Sequence, residues 1–242
     1  MDQLSEGIGM TIEQILSWMK NTRTVTRTLY MITLFTVPIV PYALAQPGQA
    51  TRDAVESVEK ADGSVNIHLV DGLLRIQPYA DNVARITFSS AEKIPDLANP
   101  FLSSSSCAST AFKLQGDSRF VVVQLPDLEV EVERHSGAVR FDDDHGNELL
   151  RESDYLHPRQ VKPTVTDGDA TNRASVWFAL TPEERLYGLG QHQNGILNQR
   201  NLEFELSQDN TNISIPFFLS SKGYGVLWNN ASVTRWNNRF QP

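Results

Sequence analysis

Two polar clusters, Gln191-His192-Gln193-Asn194 and Asn198-Gln199-Arg200-Asn201, lie close together behind the glycines Gly188 and Gly190. Amides and a guanidinium present planar donors and acceptors, the groups that read the vicinal hydroxyls of a sugar. The residues alone leave a second reading open, a solvated loop whose amides satisfy only local backbone. Gly188-Leu189-Gly190 does not extend into a phosphate cradle, because the G-x-G-x-x-G pattern meets Gln193 where it needs its third glycine. These glycines are expected instead to make a sharp turn that lets the polar loop approach a ligand closely.

Other residues capable of chemistry have simpler explanations. Asp142-Asp143-Asp144-His145 is rich in carboxylates, but adjacent strand residues face opposite ways and Gly146 follows, so a solvated turn is favoured over a metal site. His135 and His157 lack the ligand spacing that zinc requires. No metal or other cofactor is expected. Cys107, the single cysteine, excludes an internal disulfide and has no histidine nearby to make it a nucleophile.

The elements that must position these groups read as strands. Val65, Ile67 and Leu69 alternate with polar residues up to Asp71-Gly72, and Leu74 and Ile76 alternate beyond it, the pattern of a hairpin with a tight turn. Val83, Arg85-Ile86 and Phe88 predict a third strand, and 120–125 and 128–132 two more. Glu129-Val130-Glu131-Val132-Glu133 has strict period two, which predicts one buried face and one acidic, wet face. Further strands are predicted at 177–180, 213–220 and 224–229, with Thr181-Pro182-Glu183-Glu184 able to cap one helical turn. Turn residues recur every 8 to 12 positions or so, which points to an all-β sandwich. With 242 residues, 40% hydrophobic and 21% charged, the chain is long and apolar enough for one sizeable core or two small ones.

The run Leu186-Tyr187-Gly188-Leu189-Gly190-Gln191-His192-Gln193-Asn194-Gly195, then Asn210-Thr211-Asn212-Ile213 and Ser221-Lys222-Gly223-Tyr224-Gly225-Val226-Leu227-Trp228-Asn229-Asn230, resembles the N-terminal domain of glycoside hydrolase family 31. It is most similar to the α-xylosidase and α-glucosidase types, clearly from Leu186 to Trp236 and more weakly from Val65 to Phe141. The resemblance implies a galactose-mutarotase-like β-sandwich that packs on a catalytic (β/α)8 barrel and lends a loop to the rim of the active site. It tips the polar loop toward binding an α-linked oligosaccharide or glycoside, with Gln191, His192, Gln193, Asn194 and Arg200 as the candidate contacts.

Family members cleave with retention, using an aspartate nucleophile in a W-x-D-x-x-E motif and a second carboxyl as acid/base. Here Trp18, Trp177, Trp228 and Trp236 are followed two residues on by Lys20, Ala179, Asn230 and Asn238, so no catalytic carboxylate is expected. The chain ends at Pro242 ahead of any barrel, and the sandwich is expected to be incomplete at its C-terminus and inactive alone. A stand-alone carbohydrate-binding module is the alternative, and would need Tyr224, Trp228, Trp236 and Phe240 as a stacking platform. A mutarotase would need a His acid and a Glu base on one sugar, for which His192 with Glu203 or Glu205 is the available set.

At the N-terminus, Lys20, Arg23 and Arg27 precede an apolar run from Leu29 to Leu44 that closes on Ala43-Leu44-Ala45. This pattern predicts a helical signal peptide over 19–45, cleaved between Ala45 and Gln46, and hence a periplasmic or extracellular protein. A membrane anchor needs about 20 apolar residues, whereas this run is shorter and holds Pro38 and Pro41, so no stable anchor is expected after cleavage. Residues 1–18 read as a misassigned start or an extended n-region, 46–63 as a linker and 64–242 as the sandwich. The net charge of −8 repels phosphate backbones and argues against nucleic acid as a partner.

Overall fold

The structure is a computed structural model that describes residues 53–61, 63–94, 110–153, 159–166, 168–230 and 232–238. The signal peptide, its cleavage site at Ala45 and Gln46, residues 1–18, Cys107, His157 and Phe240 lie outside the described residues. All regular elements among the described residues are strands, and none is a helix long and apolar enough to cross a membrane.

Strands β1 (Val55–Ala61), β2 (Ser64–Leu69), β3 (Gly72–Ala80) and β4 (Val83–Ser89) form an antiparallel meander in sequential order. A six-stranded sheet contains β5 (Lys113–Gly116), β6 (Phe120–Gln124), β7 (Leu128–Glu133), β8 (Val139–Asp143), β9 (Glu148–Glu152) and β12 (Phe178–Ala179), in the order β12-β9-β8-β7-β6-β5. Val65, Ile67, Leu69, Leu74 and Ile76 of the first sheet share one core with Val121, Val123, Val130, Val132 and Val139 of the second. Each strand contributes alternate β-branched or aliphatic residues to a pleated face, and the two faces pack together as a sandwich. The period-two segment buries Leu128, Val130 and Val132 as expected, but the face of the glutamates is only half-wet: Glu131, its side chain 13% exposed, pairs there with Arg140.

Strands β10 (Gln160–Thr166) and β11 (Asp169–Ser175) pair only with each other. Val161, Pro163 and Val165 alternate with polar residues in β10, but β11 offers only Ala170 and Ala174, so the hairpin as a whole carries little hydrophobic signal. Then β13 (Leu186–Gln191), β15 (Ile213–Ser220) and β16 (Gly225–Leu227) make a sheet in the order β13-β15-β16, while β14 (Glu203–Leu206) pairs with β17 (Thr234–Asn237). Leu186, Leu189, Leu206 and Phe218 form a second, smaller core, with Phe204, Tyr224, Val226 and Trp236 against it. Lys222, in the turn after β15, donates from Nζ to the carbonyls of Glu148 and Leu149 and so ties this sheet to β9.

Three expectations need correction. Residues 55–61 are not linker: they form β1, register against β2, and begin where the Val55 amide donates to the Arg134 carbonyl at 2.8 Å. The chain is held there by Gly137, whose missing side chain admits the Asp53 carbonyl, 2.1 Å from where a Cβ would stand. Gly188-Leu189-Gly190 is a bulged stretch of β13 and not a sharp turn between elements. Thr181-Pro182-Glu183-Glu184 makes the contacts of a helix cap without any helix following.

Charges inside the sandwich are paired. Arg159 and Glu152 form an ion pair whose side chains are 8% and 10% exposed, and the Val139 amide donates to the same carboxylate at 3.1 Å. Asp53 sits beside them, and burial pushes its carboxyl above the usual aspartate range despite Arg159. Truncating the core at Ile67→Ala should cost about 2–5 kcal/mol in equilibrium urea unfolding, because the site is fully enclosed. Val70→Ala, at a position 47% exposed, should stay within about 0.5 kcal/mol of wild type.

Candidate functional site

The polar loop begins where β13 loses register with β15. Between Gly188 and Gly190 the pairing slips, and three successive residues take positive φ, at 108°, 66° and 97°. A left-handed conformation costs a non-glycine residue such as Leu189 about 1–2 kcal/mol. Burying a leucine side chain is worth about 1.5–3 kcal/mol, and Leu189 is 2% exposed in the second core, so packing offsets the strain. Gly190 has a separate reason to be glycine: a Cβ there would stand 1.9 Å from the Ile213 carbonyl.

The bulge leaves the Leu189 carbonyl facing back along the loop, where it lies 2.8 Å from His192 Nε2. A carbonyl can only accept, so Nε2 carries the proton. The ring rests on Phe204 with centroids 4.5 Å apart. Phe204 lies between Glu203 and Glu205 on β14, and adjacent strand residues point to opposite faces. The histidine thus packs on the aromatic ring of that strand.

Most of the remaining amides are framework. Asn194 accepts from the Ile196 amide at 3.0 Å and donates to Gln199 Oε1 at 3.4 Å. Gln199 is 5% exposed and donates to the Ile196 carbonyl at 2.8 Å. Asn198 Oδ1 accepts from the amides of Leu186 and Arg200. Arg200 Nη1 donates to the carbonyls of Thr181 and Glu184 at 2.8 and 2.9 Å, so its guanidinium braces the loop. Gln191 and Gln193 differ from these: both are exposed, and neither side chain has a hydrogen-bond partner among the described residues.

Beneath the loop is a residue that sequence reasoning placed only in a helix cap. Glu184 is 2% exposed, and its Oε2 accepts from the Thr181 amide at 3.1 Å and from the Thr181 hydroxyl. Its Oε1 accepts from the hydroxyls of Ser220 and Tyr224, whose phenol is pushed above its ordinary pKa by burial and by this carboxylate. The T-x-x-E spacing was the available signal. Only packing shows that the carboxylate faces inward.

Two of the aromatics proposed as a stacking platform, Tyr224 and Trp236, pack against the second core. Trp236 meets Phe218 edge-on at 5.1 Å and Tyr224 meets it at 6.4 Å, both in the second core. The three consecutive aspartates separate. Asp142, 4% exposed, pairs with Arg140 at 2.9 Å, and Arg140 also holds Glu131 at 2.6 Å. Asp143 closes the turn by accepting from the amides of His145 and Asn147 and from the Asn147 side chain. Asp144 stands 3.7 Å from His145 on the surface.

Residues 73–237 match the family profile described as the glycosyl hydrolase 31 N-terminal galactose mutarotase-like domain. The chain belongs to glycoside hydrolase family 31. It is 26% identical over 180 residues to an uncharacterized family 31 glucosidase of Pseudescherichia vulneris, covering 66% of this chain and 33% of that protein. Over 65 residues it is 51% identical to an α-xylosidase of Saccharolobus solfataricus, covering 23% of this chain and 9% of that enzyme. The fold superposes on a family 31 α-xylosidase of Xanthomonas citri with a TM-score of 0.62 at 26% identity, covering 74% of this chain and 19% of that one. The chain thus spans a third or less of the length of these relatives.

Glu184→Ala should destabilise the protein by about 3 kcal/mol in urea unfolding, because it strands several buried donors at once. Tyr224→Phe removes one donor and should cost about 1 kcal/mol. For Asp143, hydrogen bonds from the Asn147 side chain and then its amide hold the carboxyl below the ordinary range. The folded state therefore binds this proton less readily than the unfolded chain, and the resulting stability is complete above the ordinary aspartate pKa and lost as pH falls through the lowered one. Urea midpoints from about pH 6 to about pH 2 should show the gap between wild type and Asp143→Ala constant at first and closing on the acid side.

Proposed function

We propose that this chain is the N-terminal, carbohydrate-binding and barrel-supporting domain of an exported retaining α-glycosidase acting on α-xylosides or α-glucosides. The observation that carries the sugar-binding part is the contrast within the loop. Gln191 and Gln193 hold unpaired amides on a backbone braced by Leu189, His192, Asn194, Gln199 and Arg200. A braced loop loses little conformational freedom when a sugar binds, so each new hydrogen bond contributes more of its energy to affinity.

The names of the relatives support the substrate class, since two of the three are α-xylosidases and the third a glucosidase. The nucleophile and the acid/base of a retaining mechanism belong to the barrel, and none of the tryptophans here opens a W-x-D-x-x-E motif. The chain's own part is to fix the orientation of the sugar by its hydroxyls and to exclude water from one side of the site. A stand-alone binding module is less well supported, because Tyr224 and Trp236 are committed to the second core.

Titration calorimetry with an α-xylosyl disaccharide and with maltose tests the loop. Gln191→Ala/Gln193→Ala should weaken binding about tenfold with an unchanged melting temperature, whereas Arg200→Ala should lower the melting temperature. Unchanged affinity in the double variant would remove the loop from the subsite. Turnover of an aryl α-xyloside or α-glucoside by the purified chain would overturn the assignment of catalysis to the barrel.

A further inference from the structure

The outer face of the six-stranded sheet gathers more carboxylates than cations. Glu129 and Glu131 are two apart on β7 and share a face, with Asp142 of β8 the register partner of Glu129 and Arg140 that of Glu131. On the next strand Glu148 is the register partner of Asp142, and Arg151 that of Arg140. Glu129, Asp142 and Glu148 therefore stand side by side across three strands, and like charges directly opposite one another are destabilising. Arg151 lies 3.3 Å from Glu148, and Arg140 spans Glu131 and Asp142, so the grid sets four carboxylates against two guanidiniums. Within it Glu129, Glu131 and Asp142 each bring a carboxylate oxygen to within 4.8 Å of the other two. The Asp142 side chain is only 6% exposed; Arg140 reaches its Oδ2 at 2.9 Å, while Oδ1 has no hydrogen-bond partner among the described residues. Glu131 Oε2 touches the same guanidinium at 2.6 Å but accepts no hydrogen bond. Buried carboxylate oxygens without donors call for a ligand from outside the chain, a water or a cation, and the surplus of negative charge favours the cation.

We propose that Glu129, Glu131 and Asp142 form a Ca2+ site that clamps β7 to β8 on the outside of the sandwich. The donors are hard carboxylate oxygens with no histidine or thiolate among them, which suits Ca2+ over a transition metal. Oxygens on opposite sides of a Ca2+ ion stand about 5 Å apart, since each bond is about 2.3–2.6 Å long, so this set can enclose one ion. Arg140 is the built-in competitor. Its side chain is 39% exposed and its guanidinium lies 5.9 Å from the Phe120 ring, over which it withdraws when the ion enters. Glu129 also lines an open hollow with Gln124, Pro126, Asp143 and Asp144, which gives the ion a way in from solvent. The site takes one residue from the aspartate run and two from the strand beside it, so spacing along the chain does not show it.

The test is titration calorimetry of the purified chain with CaCl2 after treatment with EDTA and dialysis, with the melting temperature read in parallel. One ion per chain is expected, and the melting temperature should rise by about 5 °C or more at a hundredfold excess over Kd, because only the folded chain presents the site. Glu129→Gln and Asp142→Asn should each weaken binding at least tenfold, whereas Arg140→Ala should tighten it about tenfold by removing the competing charge. Glu129 is half-buried, so its variant should melt like wild type in EDTA and keeps the test decisive should Asp142→Asn fail to fold. No calcium binding by the wild type, binding that survives Glu129→Gln, as at the Asp143-Asp144 turn, or loss of binding in a folded Arg140→Ala variant would overturn the proposal.

Discussion

The carboxylate of Glu184 is the point on which the second half of the chain depends. It joins the 181–184 turn to the β15–β16 hairpin through the Thr181 amide and the hydroxyls of Thr181, Ser220 and Tyr224. The backbone carbonyl of the same residue accepts from Arg200, so the polar loop is braced on the same turn. A buried carboxylate is costly unless its oxygens are satisfied, and here both oxygens accept from protein groups. The requirement works in both directions. The turn, the hairpin and the loop must all be in place for the charge to be tolerated, and once in place they are mutually fixed.

Strain and packing are balanced in the same region. Leu189 occupies a conformation that leucine rarely adopts, held there by its burial in the second core and by the close approach of β13 to the Ile213 carbonyl at Gly190. The outcome is a loop with two populations of polar side chain. Those pointing back satisfy backbone and neighbouring side chains, and those pointing out, Gln191 and Gln193, are exposed with no side-chain hydrogen bond among the described residues. Functional sites commonly store strain in this way, where the surrounding structure over-determines an unfavourable backbone.

The two cores differ in what they enclose. The first is closed between two sheets, with Ile67, Leu74, Val123 and Val130 fully buried. The second is small, and its central strand turns Ile215, Phe217 and Leu219 outward. A domain whose only task was to fold would place these side chains inside.

Much of the fold was legible in the sequence because alternation is a local property. Val65 through Ile76, Phe120 through Glu133 and Ile213 through Ser220 declare themselves as strands by the spacing of apolar residues, and the ordered motifs from Leu186 to Trp236 carry the family. The glycines at 188 and 190 announced an unusual backbone, and the loop announced an unusual density of amides. What the sequence could not supply was direction. Whether Arg200 reaches a sugar or the Thr181 carbonyl, whether Glu184 caps a helix or anchors a hairpin, and whether Ile215 and Leu219 face inward or outward are long-range questions. They depend on which groups from distant segments arrive at the same place, and only tertiary packing, through the cost of leaving a buried charge or donor unpaired, decides them.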